Sequence, residues 1–225
     1  MSASVVLVDA LGTLVRMEPP GPRLRVELAR FGFAVDAARA DAAFAAEIAY
    51  YLEHHLEGRD WSSLAQLRTR CAAVLRDALA LPDLPPAAAR QALLAAIRFE
   101  PYPDAASALD ELRARGARTV VASNWDCSLG AVLERAGLRT LVDDVVTSAE
   151  AGAPKPDRRL FEAALAAAGR GAEDAVHVGD SVDGDVIGAR AVGIRAVLLR
   201  RSPDAPPAPA GISEIASLED LPSLI

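Results

Sequence analysis

The chain has 225 residues, of which 52% are hydrophobic, and a formal net charge of −7. This length allows one large domain, or one domain that carries a smaller insertion. The acidic balance argues against a nucleic-acid partner, because binding a phosphate backbone needs a basic face, and no apolar run approaches the roughly 20 residues of a membrane-spanning helix.

The first residues of the chain and its cysteines indicate the cellular compartment in which we expect the protein. Residues Met1 to Val5 show no basic region ahead of an apolar stretch, so we expect no secretory leader. Cys71 and Cys127 are too few for a disulfide framework. We therefore expect a cytoplasmic protein that does not bind a membrane.

Short β-branched apolar runs alternate with helical stretches, which is the pattern of a parallel sheet covered by helices on both faces. The predicted strands are Ser4–Val8, Arg118–Ala122, Asp144–Thr147, Ala175–Val178 and Arg195–Leu199. The predicted core helices are Ala105–Arg115, Leu129–Ala136, Arg158–Ala168 and Val186–Ala191. The sequence therefore predicts an α/β fold, a doubly wound parallel sheet.

This alternation is interrupted between about Glu18 and Phe99, where amphipathic segments follow one another without a strand. We interpret the stretch as a four-helix insertion after the first strand, so that residues 1–17 and 99–225 form the core domain and residues 18–98 the inserted domain. The predicted helices of the insertion are Pro22–Phe31, Asp36–His55, Ser62–Leu79 and Pro86–Ile97.

Polar side chains follow the predicted strands, at the edge of the sheet where ligands bind in open parallel sheets. They combine carboxylates, small hydrogen-bonding groups and a cation. Such a set can attack a phosphoryl group, surround its oxygens and hold a divalent metal, since Mg²⁺ prefers oxygen ligands. These residues are Asp9, Thr13, Ser123, Asn124, Glu150 to Lys155, Asp180, Ser181, Asp183 and Asp185.

Lys155 is the only lysine among the 24 basic residues of the chain; all the others are arginines. A compact ammonium and a planar guanidinium are not interchangeable. We therefore expect Lys155 to occupy a place where arginine cannot substitute.

Four segments together resemble the motifs of the haloacid dehalogenase-like hydrolases. VVLVDALGTL (Val5–Leu14) is similar to the first motif, and VVASN (Val120–Asn124) to the second. TSAEAGAPKPDRRLF (Thr147–Phe161) resembles the third motif and HVGDSVDGDVIGARAVG (His177–Gly193) the fourth. The motifs occur in order across essentially the whole chain, with the gap between the first two that suits members with a helical cap.

The resemblance implies a Mg²⁺-dependent hydrolase and a role for each matching residue. Asp9 would be the nucleophile and would form a covalent aspartyl intermediate, while Lys155 would neutralise charge on the nucleophile and the transferring group. Thr13 and Ser123 would hydrogen-bond the loop and the bound phosphoryl oxygens, with Asn124 beside them. The implied metal ligands are Asp9, the Leu11 backbone carbonyl, Asp180 and Asp185, the last in the first or second coordination shell.

Leu11 departs from the family pattern, because phosphatases of this family carry there a second Asp that protonates the leaving group. Its absence removes general acid–base catalysis, which typically contributes about 10²–10⁴-fold. Three interpretations stay open: a slow or selective phosphatase, a metal-independent 2-haloacid dehalogenase, and a non-catalytic relative that binds a phosphorylated ligand or partner. The pairing of Asp180 and Asp185 with Asp9 favours the phosphatase, since like charges without a cation repel one another.

Aromatic and basic residues also cluster within the predicted insertion. On the helical spacing, Tyr50 shares a face with His54, and Tyr51 with His55; with Arg59 these residues either contact substrate or pack the insertion. His177 is interpreted as a core histidine with satisfied hydrogen bonds. The expected ligand is a small phosphorylated substrate. Neither the identity of this substrate nor the oligomeric state follows from the sequence.

Overall fold

The computed structural model describes residues 4–225 of the chain. The first three residues of the predicted core domain lie outside the described residues, and so does most of the segment Met1 to Val5, in which we expect no secretory leader. The chain divides into two compact units. One contains the described part of Met1–Arg16 together with Pro101–Ile225, and the other contains Met17–Glu100. None of the helices within residues 4–225 is long and apolar enough to cross a membrane.

The first unit is built on a six-stranded parallel sheet. Its strands, numbered along the chain, are β1 (Val5–Val8), β4 (Arg118–Ser123), β5 (Asp144–Thr147), β6 (Ala175–Gly179), β7 (Arg195–Leu199) and β8 (Ser213–Ile215). Their order across the sheet is β5-β4-β1-β6-β7-β8. A separate two-stranded sheet contains β2 (Val15–Met17) and β3 (Phe99–Pro101).

The helices of this unit follow the strands. They are α5 (Ala105–Ala114), α6 (Leu129–Arg135), α7 (Ser148–Ala151), α8 (Arg158–Ala168) and α9 (Gly188–Ala191). One face of the sheet packs Leu7 and Val120 against Phe161 and Ala164 of α8. All four residues of β1 are buried, and since neighbouring strand residues point to opposite faces, both faces of the sheet are covered. The predicted doubly wound α/β fold is confirmed.

The second unit is a bundle of four helices: α1 (Pro20–Arg30), α2 (Ala37–His54), α3 (Trp61–Ala78) and α4 (Pro86–Ala96). Sequence signals set where they begin. Asp36 caps α2 by accepting from the backbone of Arg39, and Asp60 forms a capping box with Ser63 at the start of α3. Each helix buries an apolar stripe, as α3 does with Leu64, Leu67, Cys71 and Leu75.

Several predicted boundaries were wrong in ways that affect the site. Strand β4 extends to Ser123, so this residue belongs to the strand and does not follow it. The predicted helix Val186–Ala191 is a π-helical turn over Val182–Ile187 followed by the short α9. Strand β8 and helix α7 have too few residues to show a periodic pattern, and the sequence did not predict them.

Candidate active site

The central strand β1 delivers Asp9 to the carboxyl edge of the sheet. The Asp9 backbone N–H donates to the Val178 carbonyl at 2.9 Å, which continues the ladder between β1 and β6. The chain then turns sharply, with Gly12 at φ +84° and the Leu14 N–H bound to the Ala10 carbonyl at 2.8 Å. Asp9, 5% exposed, is therefore held at the end of a rigid strand.

Strand β4 places Ser123 beside Asp9. The Ser123 hydroxyl donates to Asp9 Oδ1 at 2.9 Å, and both side chains are buried. The next residue, Asn124, contacts another part of the site. Its Oδ1 accepts from the Lys155 backbone N–H at 2.6 Å and its Nδ2 donates to the Lys155 carbonyl at 3.2 Å.

Lys155 lies in the segment between α7 and α8 and is 7% exposed. A capping box between Thr147 and Glu150 starts α7, and Gly152 ends it in the left-handed conformation. The Lys155 ammonium donates to Asp9 Oδ1 at 2.5 Å and to Asp185 Oδ1 at 2.6 Å. The predicted special place of the lysine is therefore a buried position between two carboxylates.

The end of β6 and the π-helical turn bring two further carboxylates to the same edge. Asp180 follows β6 directly and is exposed, whereas Asp185 is buried within the turn. Asp185 Oδ2 accepts from the Ser181 backbone N–H at 2.9 Å, and Asp185 Oδ1 lies 2.8 Å from His177 Nε2. Three separate donors, from Lys155, His177 and Ser181, thus fix the Asp185 carboxylate.

The residues present fit a divalent metal. Carboxylate oxygens of Asp9, Asp180 and Asp185 all lie within 4.8 Å of one another. Gly12 makes room for this cluster, because a Cβ atom at its position would lie 2.1 Å from Asp180 Oδ2. An all-oxygen, multiply charged donor set of this kind is what Mg²⁺ and similar hard cations prefer.

Burial and mutual charge shift the acidities of these groups. Burial raises the pKa of Asp9 against the opposing effect of the Lys155 ammonium. Burial of the carboxyl, followed by the charges of Asp9 and Asp185, raises the pKa of Asp180 to about 6, although the residue as a whole is exposed. Burial alone would raise the pKa of Asp185, but Lys155 and His177 hold it well below its usual range.

The Lys155 ammonium keeps its proton. Burial alone would lower its pKa, but the charges of Asp9 and Asp185, each hydrogen-bonded to the ammonium, raise the pKa above its usual range. The ammonium therefore stays charged at neutral pH and balances the two acids that it contacts. A cation between Asp9 and Asp185 favours the ionised forms of both carboxylates in a place where burial favours their neutral forms.

One predicted contact differs in the structure, and two further residues of the predicted site have surroundings that the sequence did not show. The Thr13 hydroxyl, predicted to hydrogen-bond the loop, is fully buried and has no hydrogen-bond partner within residues 4–225; the backbone N–H of Thr13 contacts the loop instead, by donating to the Ala10 carbonyl at 3.3 Å. Asn124, predicted to lie alongside the phosphoryl group, has both ends of its amide bound to the Lys155 backbone. Leu11 is 46% exposed, so its side chain is not packed within the loop.

Two residues at the site carry contacts that the sequence analysis missed. His177 was interpreted as a satisfied core histidine, yet its Nε2 bonds the Asp185 carboxylate and its buried Nδ1 has no partner within the described chain. Arg201 follows β7 and bonds the backbone carbonyls of Gly12 and Thr13. Arg201 could have been predicted from its position shortly after a strand, because the other site residues were predicted from positions of this kind.

In the helical unit, the predicted pairs of α2 do form. The rings of Tyr50 and His54 stack with centroids 4.0 Å apart, and those of Tyr51 and His55 lie 6.1 Å apart in a tilted arrangement. The Tyr50 hydroxyl accepts from Arg70 Nε at 3.0 Å. These contacts give the pairs a packing role within the unit.

Comparison with known proteins places this site in context. A family model described as haloacid dehalogenase-like hydrolase matches residues 3–193. Human haloacid dehalogenase-like hydrolase domain-containing protein 3 is 37% identical over 150 residues, which cover 67% of this chain and 59% of the relative. Ribulose-1,5-bisphosphate 5-phosphatase of Halopiger xanaduensis is 41% identical over 97 residues, 43% of this chain and 41% of the relative.

Among solved structures, the 2-haloacid dehalogenase of Pseudomonas syringae pv. tomato DC3000 is similar at a TM-score of 0.72 and 25% identity, and the match covers 100% of this chain and 98% of that one. The two curated relatives are matched over less than two thirds of their own lengths. The family model spans all four motifs, and the structural resemblance extends over the whole chain.

Proposed function

This chain belongs to the haloacid dehalogenase-like hydrolases, and on that premise we propose that it is a Mg²⁺-dependent phosphatase of a small phosphorylated metabolite. The observation that carries the proposal is the cluster of Asp9, Asp180 and Asp185 within 4.8 Å, with the ammonium of Lys155 bonded to two of the three. The phosphatase name of the Halopiger relative supports the same chemistry.

Asp9 is the proposed nucleophile. Its Oδ1 accepts from Lys155 Nζ and Ser123 Oγ, which fixes the plane of the carboxylate. The attack falls to Oδ2, which forms a bond to phosphorus while the bond between phosphorus and the leaving oxygen breaks. The product is an aspartyl phosphate, and water then releases phosphate and restores Asp9.

Lys155 and the proposed metal ligands act on the negative charge of the phosphoryl group during its transfer. The ammonium of Lys155 stays protonated between Asp9 and Asp185 and stabilises negative charge that develops on the transferring group. Asp180, Asp185 and Asp9 would hold Mg²⁺, with the Leu11 backbone carbonyl as the further proposed ligand. Bound Mg²⁺ supplies positive charge that offsets the carboxylates and polarises the phosphoryl oxygens. Ser181 and His177 orient Asp185 for this role.

The leucine at position 11 defines the substrate class. It offers no proton to the departing oxygen, so we propose that the enzyme favours phosphate esters and anhydrides whose leaving groups are weak bases, such as aryl and acyl phosphates. The same deficit affects the second step, because no carboxylate at position 11 activates water. Hydrolysis of the aspartyl phosphate is therefore the slow step, and the first turnover should appear as a burst of leaving group.

The second candidate function is that of a 2-haloacid dehalogenase, favoured by Leu11, since a halide departs without a proton, and by the fold shared with the Pseudomonas syringae enzyme. The three clustered carboxylates weigh against it. Without a metal ion, burial of the carboxyl, followed by the charges of Asp9 and Asp185, raises the pKa of Asp180, which is an electrostatic cost that a metal-independent enzyme has no reason to carry.

The helical unit is the proposed cap domain, which the sequence assigns to residues 18–98.

A phosphate-release panel tests the proposed function. p-Nitrophenyl phosphate, acetyl phosphate and several sugar phosphates are assayed with Mg²⁺ and with EDTA, and Asp9→Asn is the control for the nucleophile. We expect Mg²⁺-dependent release from the first two substrates and none from Asp9→Asn. Halide release from 2-chloropropionate in EDTA would establish the dehalogenase instead. Saturable binding of phosphorylated compounds without turnover would establish a non-catalytic relative.

A further inference from the structure

Arg201, two residues beyond β7, contacts the loop that carries the nucleophile. Its Nη2 donates to the Thr13 carbonyl at 2.8 Å and its Nε to the Gly12 carbonyl at 3.2 Å. The guanidinium also lies over the ring of Tyr102, 3.8 Å from the centroid. The side chain is 19% exposed, so these bonds are shielded from competing water.

The other side of the guanidinium is anchored. Arg201 makes a bidentate pair with Asp104, with both N–O distances 2.9 Å. Asp104 also accepts from the Ser217 hydroxyl at 2.8 Å and from the Leu218 backbone N–H at 2.9 Å. Burial alone would raise the pKa of Asp104, but the bonds from Arg201, Leu218 and Ser217 lower it. The carboxylate is therefore ionised at neutral pH, and Arg201 is tied to the start of α5 and to the C-terminal segment.

The bonds from Arg201 add to the backbone hydrogen bonds that hold this loop. Within the turn, the backbone N–H of Gly12 donates to the Val15 carbonyl at 2.8 Å, and the fully buried Thr13 hydroxyl makes no hydrogen bond within the described residues. Two carbonyls of the turn are bonded by a single side chain, Arg201. A displaced Gly12 would move toward or away from Asp180, since the two residues are closely packed.

We propose that Arg201 is a positioning residue for phosphoryl transfer: it fixes the loop from Asp9 to Thr13 and thereby the nucleophile and the Leu11 carbonyl. This inference rests on the proposed function, because the loop matters to catalysis only if Asp9 attacks. Lysine cannot replace Arg201 here, since an ammonium lacks the planar fork that reaches two carbonyls and a carboxylate at once.

The neighbouring Arg200 provides a matched control. It makes a comparable set of bonds, from Nε to the Ala205 carbonyl at 2.8 Å, from Nη1 to Glu214 Oε1 at 3.4 Å, and from Nη2 to the Pro203 carbonyl. All of these partners lie in the segment between β7 and β8 or in β8 itself. Arg200→Met thus removes similar bonds at the adjacent position without touching the nucleophile loop.

The experiment compares Arg201→Met, Arg201→Lys and Arg200→Met with the wild type by two measurements. Hydrogen exchange of the peptide containing residues 9–15 reports the order of the loop and needs neither metal nor substrate. Steady-state kinetics on p-nitrophenyl phosphate with Mg²⁺ report catalysis. Thermal unfolding shows which variants are folded at the assay temperature; if Arg201→Met is not folded, Arg201→Lys gives the answer.

We expect both Arg201 variants to exchange the loop amides at least about tenfold faster and to lose about 10²-fold in kcat/KM, because kcat/KM reports the attack by Asp9 and misplacing a reacting group by about 1 Å costs about that much in rate. Arg200→Met should match the wild type in both measurements. Unchanged loop exchange, unchanged kcat/KM, or an equal loss in Arg200→Met would overturn the inference. A wild-type enzyme that releases no phosphate refutes the proposed function instead, while loop exchange still decides whether Arg201 holds the loop.

Discussion

The Lys155 ammonium lies 2.5 Å from Asp9 Oδ1, and the two residues are 146 positions apart in the chain. Both side chains are almost fully buried, at 4% and 8% exposure. Neither charge is tolerable there alone, because removing one partner of a buried ion pair leaves an unpaired charge. Asp9, the proposed nucleophile, and Lys155 therefore depend on each other for their stability in this place.

Lys155→Met should reduce kcat by about 10²–10³-fold, since a preorganised charge that stabilises the transferring group is lost. The free energy of unfolding should fall by about 3–5 kcal/mol, because Asp9 and Asp185 lose their shared partner. Arg158→Met is the control: its side chain is 73% exposed and pairs with Glu162 on the surface. Urea unfolding and kinetics on p-nitrophenyl phosphate measure both effects, and wild-type kcat in folded Lys155→Met would refute the role of the lysine.

Leu11→Asp tests whether a proton donor is what the site lacks. We expect kcat/KM for alkyl phosphates to rise by about 10²–10⁴-fold and that for aryl phosphates much less, because kcat/KM reports formation of the aspartyl phosphate, in which only strongly basic leaving groups need the proton. Leu11→Asn, similar in shape but without an acid, should stay at the wild-type level. The ratio of kcat/KM for the two substrate classes is the measurement. If Leu11→Asp leaves that ratio unchanged, another group already supplies the proton.

Gly12→Ala should weaken metal binding more than it weakens the fold. The added Cβ would lie 2.1 Å from Asp180 Oδ2 and must displace that carboxylate. We expect Mg²⁺ affinity, measured by calorimetry, to fall by about 10–100-fold. Gly116→Ala is a matched control, since Gly116 has a similar φ of +79° with nothing within 4 Å of the added atom. Both variants incur about 1–2 kcal/mol of backbone strain, so equal Mg²⁺ affinity in the two would contradict a metal role for Asp180.

Glu47 gives a pH-dependent stability that is independent of the active site. It is buried in α2, and burial raises the pKa of its carboxyl above 4.5 despite a bond with Cys71. The folded state therefore binds the proton more tightly than the unfolded chain. This contribution to stability is present at pH below 4.5 and is lost as the pH rises through the raised pKa.

Glu47→Gln is consequently expected to raise the melting temperature at pH 8 and to have less effect at pH 5. Glu53→Gln, an exposed position on the same helix, is the control. Thermal unfolding followed by circular dichroism across pH 4.5–8.5 measures the difference. A gap between Glu47→Gln and wild type that does not widen with pH would contradict the buried, ionised carboxylate.

The fold class was predictable because buried parallel strands leave continuous apolar runs and because functional groups follow such strands. Asp9, Ser123 and Lys155 were found in this way, and the structure brings them together. Their catalytic roles stay predictions. The family resemblance, carried by the same strand ends, is confirmed by the match over residues 3–193.

What the sequence did not reveal depends on contacts between distant segments. The amide of Asn124 is bound to a backbone 31 positions away, and Arg201 reaches Thr13 across 188 positions. No periodicity or spacing encodes such contacts. The sequence also did not show whether the Thr13 hydroxyl has a hydrogen-bond partner, because this depends on which donors and acceptors lie within its reach after packing. Strand β8, three residues long, pairs with β7 without a pattern of its own.

The position of β1 between β4 and β6 has a consequence for how the protein folds. Both side chains that hydrogen-bond Asp9 Oδ1 come from more than 100 positions away, at separations of 114 and 146 residues. Closing such long loops is entropically costly and makes native contacts form slowly. The helices of residues 17–100 can form from local contacts, whereas the proposed catalytic centre requires the sheet to be assembled in register. During refolding, the appearance of activity should therefore lag behind the appearance of helical circular dichroism.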